Sequence, residues 1–341
     1  MKKVISFGGY HATGGSVIRD LFKEYQEIAL FPTEFRLLIE SKGLLDLEET
    51  LFNNGGCENI DLAIKDFLWI CNHFARKTTK FTRRGLNYDL YTKNCFSKYV
   101  REFIEEITDY KYKMDWHYYD FQKSYFKSQL ERYLSKIIDS NSFEKEAFMS
   151  YPDFEKFNTC AKKLLNKILD SYTIYENNLE NKHNQVFALH NAIHPIYYNL
   201  FDKFKSYFDK VSFIIVDRDP RDVFCDFPKN RYIPKNSSTI EKAKSFCNFY
   251  LNLRREQKKI ISREDVLFLK FEDIVFEYSS QVSKINNFIG IDKSYFDFKK
   301  EFFNPIKSSE NVGKFKNLPK ETLPAINYIE KKLTDFLYVK I

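Results

Sequence analysis

The chain has no Cys-x-x-Cys pair, and its six cysteines (positions 57, 71, 95, 160, 225 and 247) show no metal-ligand spacing with its six histidines. That argues against a zinc site or a disulfide framework and reads as reduced, mostly buried thiols. No window approaches about 18 consecutive apolar residues, so no membrane-spanning helix is expected. Strand-like sequence begins within three residues of the N-terminus, leaving no room for a signal peptide, and a cytoplasmic protein is expected. There is no internal repeat and no low-complexity linker. Lys and Arg are scattered rather than gathered into tails, and the formal charge of +7 is modest. No nucleic-acid partner is expected, because a small anionic ligand accounts for such a balance. The 35 Phe and 23 Tyr keep company with Lys, Ile and Asn, which reads as the coding bias of an A/T-rich genome more than as a stacking surface.

What is present is ample. A length of 341 residues supports a large core. Four short apolar runs, at 3–7, 185–189, 211–216 and 265–270, each end in a polar or charged loop and are separated by helical stretches. This is the βα alternation of a mainly parallel sheet. Between the first two runs the pattern changes. Phe96, Tyr99, Val100, Phe103, Ile104 and Ile107 share one helical stripe, and Phe154, Phe157, Ala161, Leu164, Leu165, Ile168 and Tyr172 share another. The expected fold is α/β: a P-loop-type, three-layer domain over 1–341, with a central mainly parallel sheet and a largely helical insertion at 61–180.

Two strand ends carry the chemistry. After 3–7 comes Gly9-x-x-x-x-Gly14-Gly15-Ser16, the spacing of a phosphate-binding loop with Gly15 where a nucleotide triphosphatase has its Lys. Glycines permit a tight turn, and the amides of residues 13–17 can point at an anion beside the start of a helix at 17–25. After 211–216 comes Asp217-Arg218-Asp219-Pro220-Arg221-Asp222. Arg218 offers a planar, permanently charged grip for phosphate, Pro220 can open a helix, and Asp219 can cap it. Arg221 and Asp222 read as scaffold.

These two motifs, Leu269-Lys270-Phe271-Glu272-Asp273-Ile274 after the last strand, and Asn311-Val312-Gly313-Lys314-Phe315-Lys316-Asn317 occur in one order. The combination resembles the sulfotransferases that use 3′-phosphoadenosine 5′-phosphosulfate (PAPS). It implies that Thr13, Gly14, Gly15 and Ser16 cradle the 5′-phosphosulfate, that Arg218 takes the 3′-phosphate, and that Lys314 and Lys316 approach the nucleotide from a late loop. Glu272 and Asp273 read as braces of the fold. Three positions depart from the family: its loop Lys or Arg falls on Ala12, its Ser eight residues after the Arg falls on Asp226, and its late Trp is Phe315. Asp226 would repel a 3′-phosphate unless it points away.

Sulfuryl transfer needs in-line geometry, charge stabilisation and a base near the acceptor hydroxyl. The family's His-bearing loop aligns with the stretch containing His190 and His194. His190 is the favoured base, then His194, with His11 as a transition-state stabiliser and Glu34 as a further candidate base. The resemblance implies a carbohydrate acceptor and no required metal, since amides and cations can carry the sulfate's charge. Two alternatives stay open: a P-loop kinase, which Ala12 and Gly15 disfavour, and a non-catalytic nucleotide- or glycan-binding protein of the same fold.

Overall fold

The apolar run at 211–216 lies within a strand, Lys210–Asp217, whose every residue after Lys210 is buried in this computed structural model. Residues 2–79, 85–114, 123–135, 145–175, 186–227, 239–292 and 300–339 are described. They contain seven strands: β1 (Lys3–Gly9), β2 (Ile28–Glu34), β3 (Tyr110–Met114), β4 (Lys145–Met149), β5 (Val186–His190), β6 (Lys210–Asp217) and β7 (Val266–Lys270). The expected run at 185–189 starts on residue 185, which lies outside the described residues. Two compact units form, one from Met1–Arg36 with Glu180–Ile341, the other from Leu37–Leu179.

In the first unit five strands make one parallel sheet in the order β2-β5-β1-β6-β7. Chain leaving β1 turns toward the β2 side, and chain leaving β6 turns toward β7. The sheet's strand order therefore reverses at the carboxyl ends of β1 and β6, the place where open α/β sheets bind ligands. Helices cover both faces. Ile214 and Val216 of β6 join Ile5 and Phe7 of β1 and the helices Ser16–Phe22 and Tyr278–Ile289 in one cluster. Phe213, pointing the other way, stacks on Phe201 of the helix Phe201–Ser206 at 4.4 Å between ring centroids. Both alternating sets of β6 are thus covered, which is why its sequence is continuously apolar rather than alternating.

β2 is not among the four expected strand runs. It is the sheet's edge strand, it carries Pro32, and its pairing with β5 is irregular between Leu30 and Glu34. Proline gives no ladder donor and is tolerated at such an edge.

The Leu37–Leu179 unit holds the helices Leu44–Asn53, Cys57–Ala75, Phe96–Ile107, Tyr125–Ser135 and Phe154–Tyr175, with β3 and β4 as an antiparallel pair. Phe67, Phe103 and Phe157 meet edge to face in its core. The first expected stripe is buried apart from Tyr99, whose hydroxyl pairs with Ser171 at 2.7 Å. In the second, Phe154 is 55% exposed and does not belong to the core, while Phe157 through Tyr172 do. Buried Asp61 accepts from the Phe148 amide at 2.9 Å and pairs with Lys65, fastening the helix Cys57–Ala75 to β4.

Candidate functional site

The loop after β1 is shaped by what its glycines touch. A Cβ on Gly9 would sit 2.3 Å from the Val216 carbonyl oxygen, so only glycine lets β1 end this close to β6. Gly14 has φ +88°, and a Cβ there would meet the Phe271 ring at 2.6 Å. The Thr13 hydroxyl lies 2.8 Å from the Tyr10 carbonyl and 2.7 Å from that of Val216, and the residue is 1% exposed. Thr13 therefore faces inward and braces the loop. Its amide, and that of Val17, donate to the Tyr10 and Gly14 carbonyls within the loop. The expected five-amide cradle narrows to Gly14, Gly15 and Ser16, and the helix that follows runs Ser16–Phe22 rather than 17–25.

The loop after β6 divides its charges between scaffold and site. Asp217 is buried against Arg254 at 2.5 Å, with Lys270 and Gln257 each at 3.2 Å. Asp219 caps the helix Pro220–Asp226 by accepting from the Arg221 amide, and also grips the Arg221 guanidinium. Arg221 reaches on to Glu330 at 2.9 Å and lies over the Phe315 ring. Asp222 accepts from the Gly313 and Phe315 amides at 2.7 and 3.3 Å, tethering the late loop. Glu272 accepts from the Asp219 amide at 2.8 Å, and burial pushes its carboxyl up to about 7.

Arg218 stands apart. It is 4% exposed; its Nη1 donates to Asp226 at 2.8 Å and to the Ala12 carbonyl at 3.5 Å, and its Nη2 donates to the Asn311 carbonyl. Asp226 does not point away from Arg218: the two pair at 2.8 Å, and Lys314 meets the same carboxylate at 3.3 Å. Burial raises the Asp226 carboxyl, but the hydrogen bond and charge of Arg218, together with Lys314, outweigh it and hold the group below its usual range.

Between these loops lies a cavity of about 720 Å³. Gly14, Ser16 and Arg218 line it, as do Asp226, Phe271 and Phe302. Thr13 and Gly15 are not in its wall: Gly15 backs onto Gly8 instead. Lys314 reaches the cavity only through Asp226, and Lys316 is exposed outside it. Two cations that sequence reasoning did not single out, Lys300 and Lys307, do line it. Their one sequence signal is Asn304-Pro305, where Asn304 caps the short helix bearing Lys307 by accepting from that residue's amide.

The three candidate histidines follow or close β1 and β5, and none of them lines the cavity. His190 closes β5 in register with Glu34 of β2 and stacks on Phe7 at 5.2 Å. Burial, helped by Arg19 and opposed by Glu34 and Asp20, lowers it to about 4. It is therefore a neutral imidazole at pH 7. His194 is also lowered to about 4, by burial and then by His11, Arg254 and Arg36. Its Nδ1 accepts from the Ile196 amide at 3.2 Å, and its buried Nε2 has no hydrogen-bond partner among the described residues. With Nδ1 engaged as an acceptor, Nε2 carries the proton, so His194 is built to donate rather than to accept. His11 lies 5.3 Å from His194 between ring centroids and is lowered by burial and by Arg36 and Arg254. Glu34 accepts from Asn191 at 2.9 Å and pairs with Arg36 at 3.4 Å.

Among the described residues no group of three His, Cys, Asp or Glu side chains stands close enough to hold a metal ion. No helix among them is long and apolar enough to cross a membrane. No family model and no curated protein matches the chain. Among solved structures it is similar to the sulfotransferase domain of the olefin synthase of Synechococcus PCC 7002, at 13% identity over 100% of this chain and 96% of that one, with a TM-score of 0.42. It is also similar to the sulfotransferase domain from the curacin biosynthetic pathway, at 12% over 100% and 98%, TM-score 0.45. A retinol dehydratase in complex with androsterone and the inactive cofactor PAP matches at 13% over 100% and 82%, TM-score 0.34.

Proposed function

We propose that this chain is a sulfotransferase that moves a sulfuryl group from PAPS to a hydroxyl of a carbohydrate. The observation that carries the reading is the meeting of two anion-shaped strand ends. The Lys-free glycine loop after β1 and the Arg218 loop after β6 wall one cavity at the reversal point of the sheet. A triphosphate site would place a Lys in the loop, where this chain has Ala12 and Gly15. Amides at Gly14 and Ser16, with Lys300 and Lys307 also in the wall, suit a nucleotide bearing more than one anion.

In this reading the Gly14-Ser16 end takes the 5′-phosphosulfate, the Arg218 end takes the ribose 3′ side, and Phe271 and Phe302 offer apolar walls to the base. The acceptor oxygen attacks sulfur, the bond from sulfur to the bridging 5′-phosphate oxygen breaks, and the acceptor's proton passes to His190. A neutral imidazole at the end of β5 has the free lone pair this step requires. In this reading His194 and His11, which pack together at 5.3 Å beyond the cavity wall, serve as donors to the transferring group. Charge on the sulfuryl oxygens is met by amides and cations, so the chemistry calls for no metal.

The carbohydrate acceptor in this reading rests on the resemblance of the motifs. None of the six cysteines is paired, in keeping with a cytoplasmic setting.

Titration with adenosine 3′,5′-bisphosphate (PAP) and with ATP, each with and without Mg²⁺, tests the reading. Metal-independent binding of PAP is expected; Mg²⁺-dependent binding of ATP alone would replace it with a kinase.

A further inference from the structure

Three of the five Arg218 N–H donors are engaged within the protein. Its Nη1 is shared between the Asp226 carboxylate at 2.8 Å and the Ala12 carbonyl at 3.5 Å, and its Nη2 donates to the Asn311 carbonyl. Its buried Nε has no hydrogen-bond partner among the described residues. Asp226 closes the helix Pro220–Asp226, and Lys314 meets both its oxygens at 3.3 and 3.5 Å. A carboxylate between an arginine and a lysine, in the wall of the cavity, does what a bound phosphate would do.

We infer that Asp226 is a specificity-determining residue: its carboxylate occupies the Arg218-Lys314 clamp that a ribose 3′-phosphate would use, and so removes most of the site's preference for 3′-phosphorylated nucleotides. The inference rests on the sulfotransferase reading of this cavity.

The physical case is one of charge and of hydrogen bonding. A phosphate brought to the same guanidinium would lie against Asp226, and like charges juxtaposed at a partly buried site cost several kcal/mol relative to a neutral neighbour. A free 3′-hydroxyl meets no such penalty. It donates a hydrogen bond to the carboxylate, as acidic residues do toward ribose hydroxyls in dinucleotide sites, where Arg instead accommodates a phosphate. Arg218 and Lys314 keep Asp226 ionised at neutral pH, so the competing charge is present under ordinary conditions. Lys300 and Lys307 line the cavity without an ion pair to Asp226 and remain for the donor's other anions.

Calorimetric titration of the wild-type chain, Asp226→Asn and Asp226→Ser with PAP and with AMP tests this, thermal melting confirming that each variant folds. The wild type is expected to prefer PAP over AMP by less than about tenfold, and both variants to bind PAP at least about tenfold more tightly while AMP affinity changes by less than about threefold. A wild type that already favours PAP by more than about a hundredfold, or variants whose PAP and AMP affinities rise together, overturns the inference and leaves the nucleotide site standing. Failure of all three proteins to bind either nucleotide overturns the sulfotransferase reading and the inference with it.

Discussion

Thr13 and Val216 are 203 residues apart in sequence, and the Thr13 hydroxyl lies 2.7 Å from the Val216 carbonyl oxygen. That bond joins the glycine loop to the strand that delivers Arg218. Replacing Thr13 with Val keeps the shape and removes the donor, leaving a buried carbonyl without its partner. The expected cost is about 1–3 kcal/mol of stability, read by denaturant unfolding. PAP affinity should fall as well, because the Gly14–Ser16 amides lose their fixed position, whereas Thr13→Ser should restore both. Unaltered PAP binding by Thr13→Val would show that the loop is set by other contacts.

Gly14 is held in a backbone region that penalises any side chain, with the Phe271 ring against its α-carbon. Gly14→Ala combines left-handed strain with a 2.6 Å clash. A loss of about 1 kcal/mol or more is expected, since substitution at a positive φ costs more than the entropy it saves. Circular-dichroism melts measure it, and the double variant Gly14→Ala with Phe271→Leu should recover part of the loss if the ring is half the problem.

His190 and His194 titrate far below the ordinary value of 6.5, at about 4, because burial disfavours their charged forms. An unfolded chain therefore binds these protons more readily than the folded one. The associated stability is fully present above pH 6.5 and is lost as the pH falls from there toward 4, by up to about 3 kcal/mol per histidine. Unfolding free energies measured between pH 7.5 and 4.5 should fall steeply in the wild type and less steeply in His190→Gln and His194→Gln. Equal slopes in all three would show that neither imidazole is neutral in the fold.

Much of the α/β frame could be read from sequence because a strand buried on both faces must be continuously apolar, as 211–216 is. The edge strand Ile28–Glu34 could not: Pro32 and Glu34 interrupt its pattern, and a strand with one unpaired side tolerates both. The β3 pairing was hidden differently, since Tyr110-Lys111-Tyr112 alternates in a way that short helix-flanking segments also do. At the site, motif order brought out Gly14, Ser16 and Arg218, all in the cavity wall. It could not bring out Lys300, or Lys307 on a five-residue helix marked only by Asn304-Pro305, nor the inward turn of Thr13, which depends on where the Val216 carbonyl lies. Asp226 was legible as an anomaly; only geometry shows that it closes on Arg218.

The proton acceptor and donor should separate in kinetics. His190→Ala is expected to lower kcat by about 10²–10⁴-fold, the usual worth of general-base assistance, with donor affinity unchanged. His194→Asn keeps an acceptor for the Ile196 amide but loses the ring N–H, and should cost less than about tenfold in kcat, as a single neutral donor does when others remain. The reverse ranking, measured with saturating PAPS and any accepted hydroxyl compound, would move the base to His194 and require its Nδ1 to leave the Ile196 amide.

Asp222 offers a test in which Coulomb's law and geometry predict opposite signs. Removing an acidic residue near Arg218 should, from charge alone, tighten the binding of an anion. Asp222, however, holds the Gly313 and Phe315 amides, and through them the turn that presents Lys314. Burial raises its carboxyl, yet the two amides and Arg218 favour its charged form, so it works as an acceptor for the late loop. Asp222→Ala leaves both amides without that acceptor and releases Lys314 from its place beside Asp226. PAP affinity should therefore fall, by about five- to tenfold for roughly 1 kcal/mol of lost ordering. Asp222→Asn retains an acceptor oxygen and should fall less. An increase in affinity for both variants would mean that the late loop is positioned without Asp222 and that charge alone governs this end of the cavity.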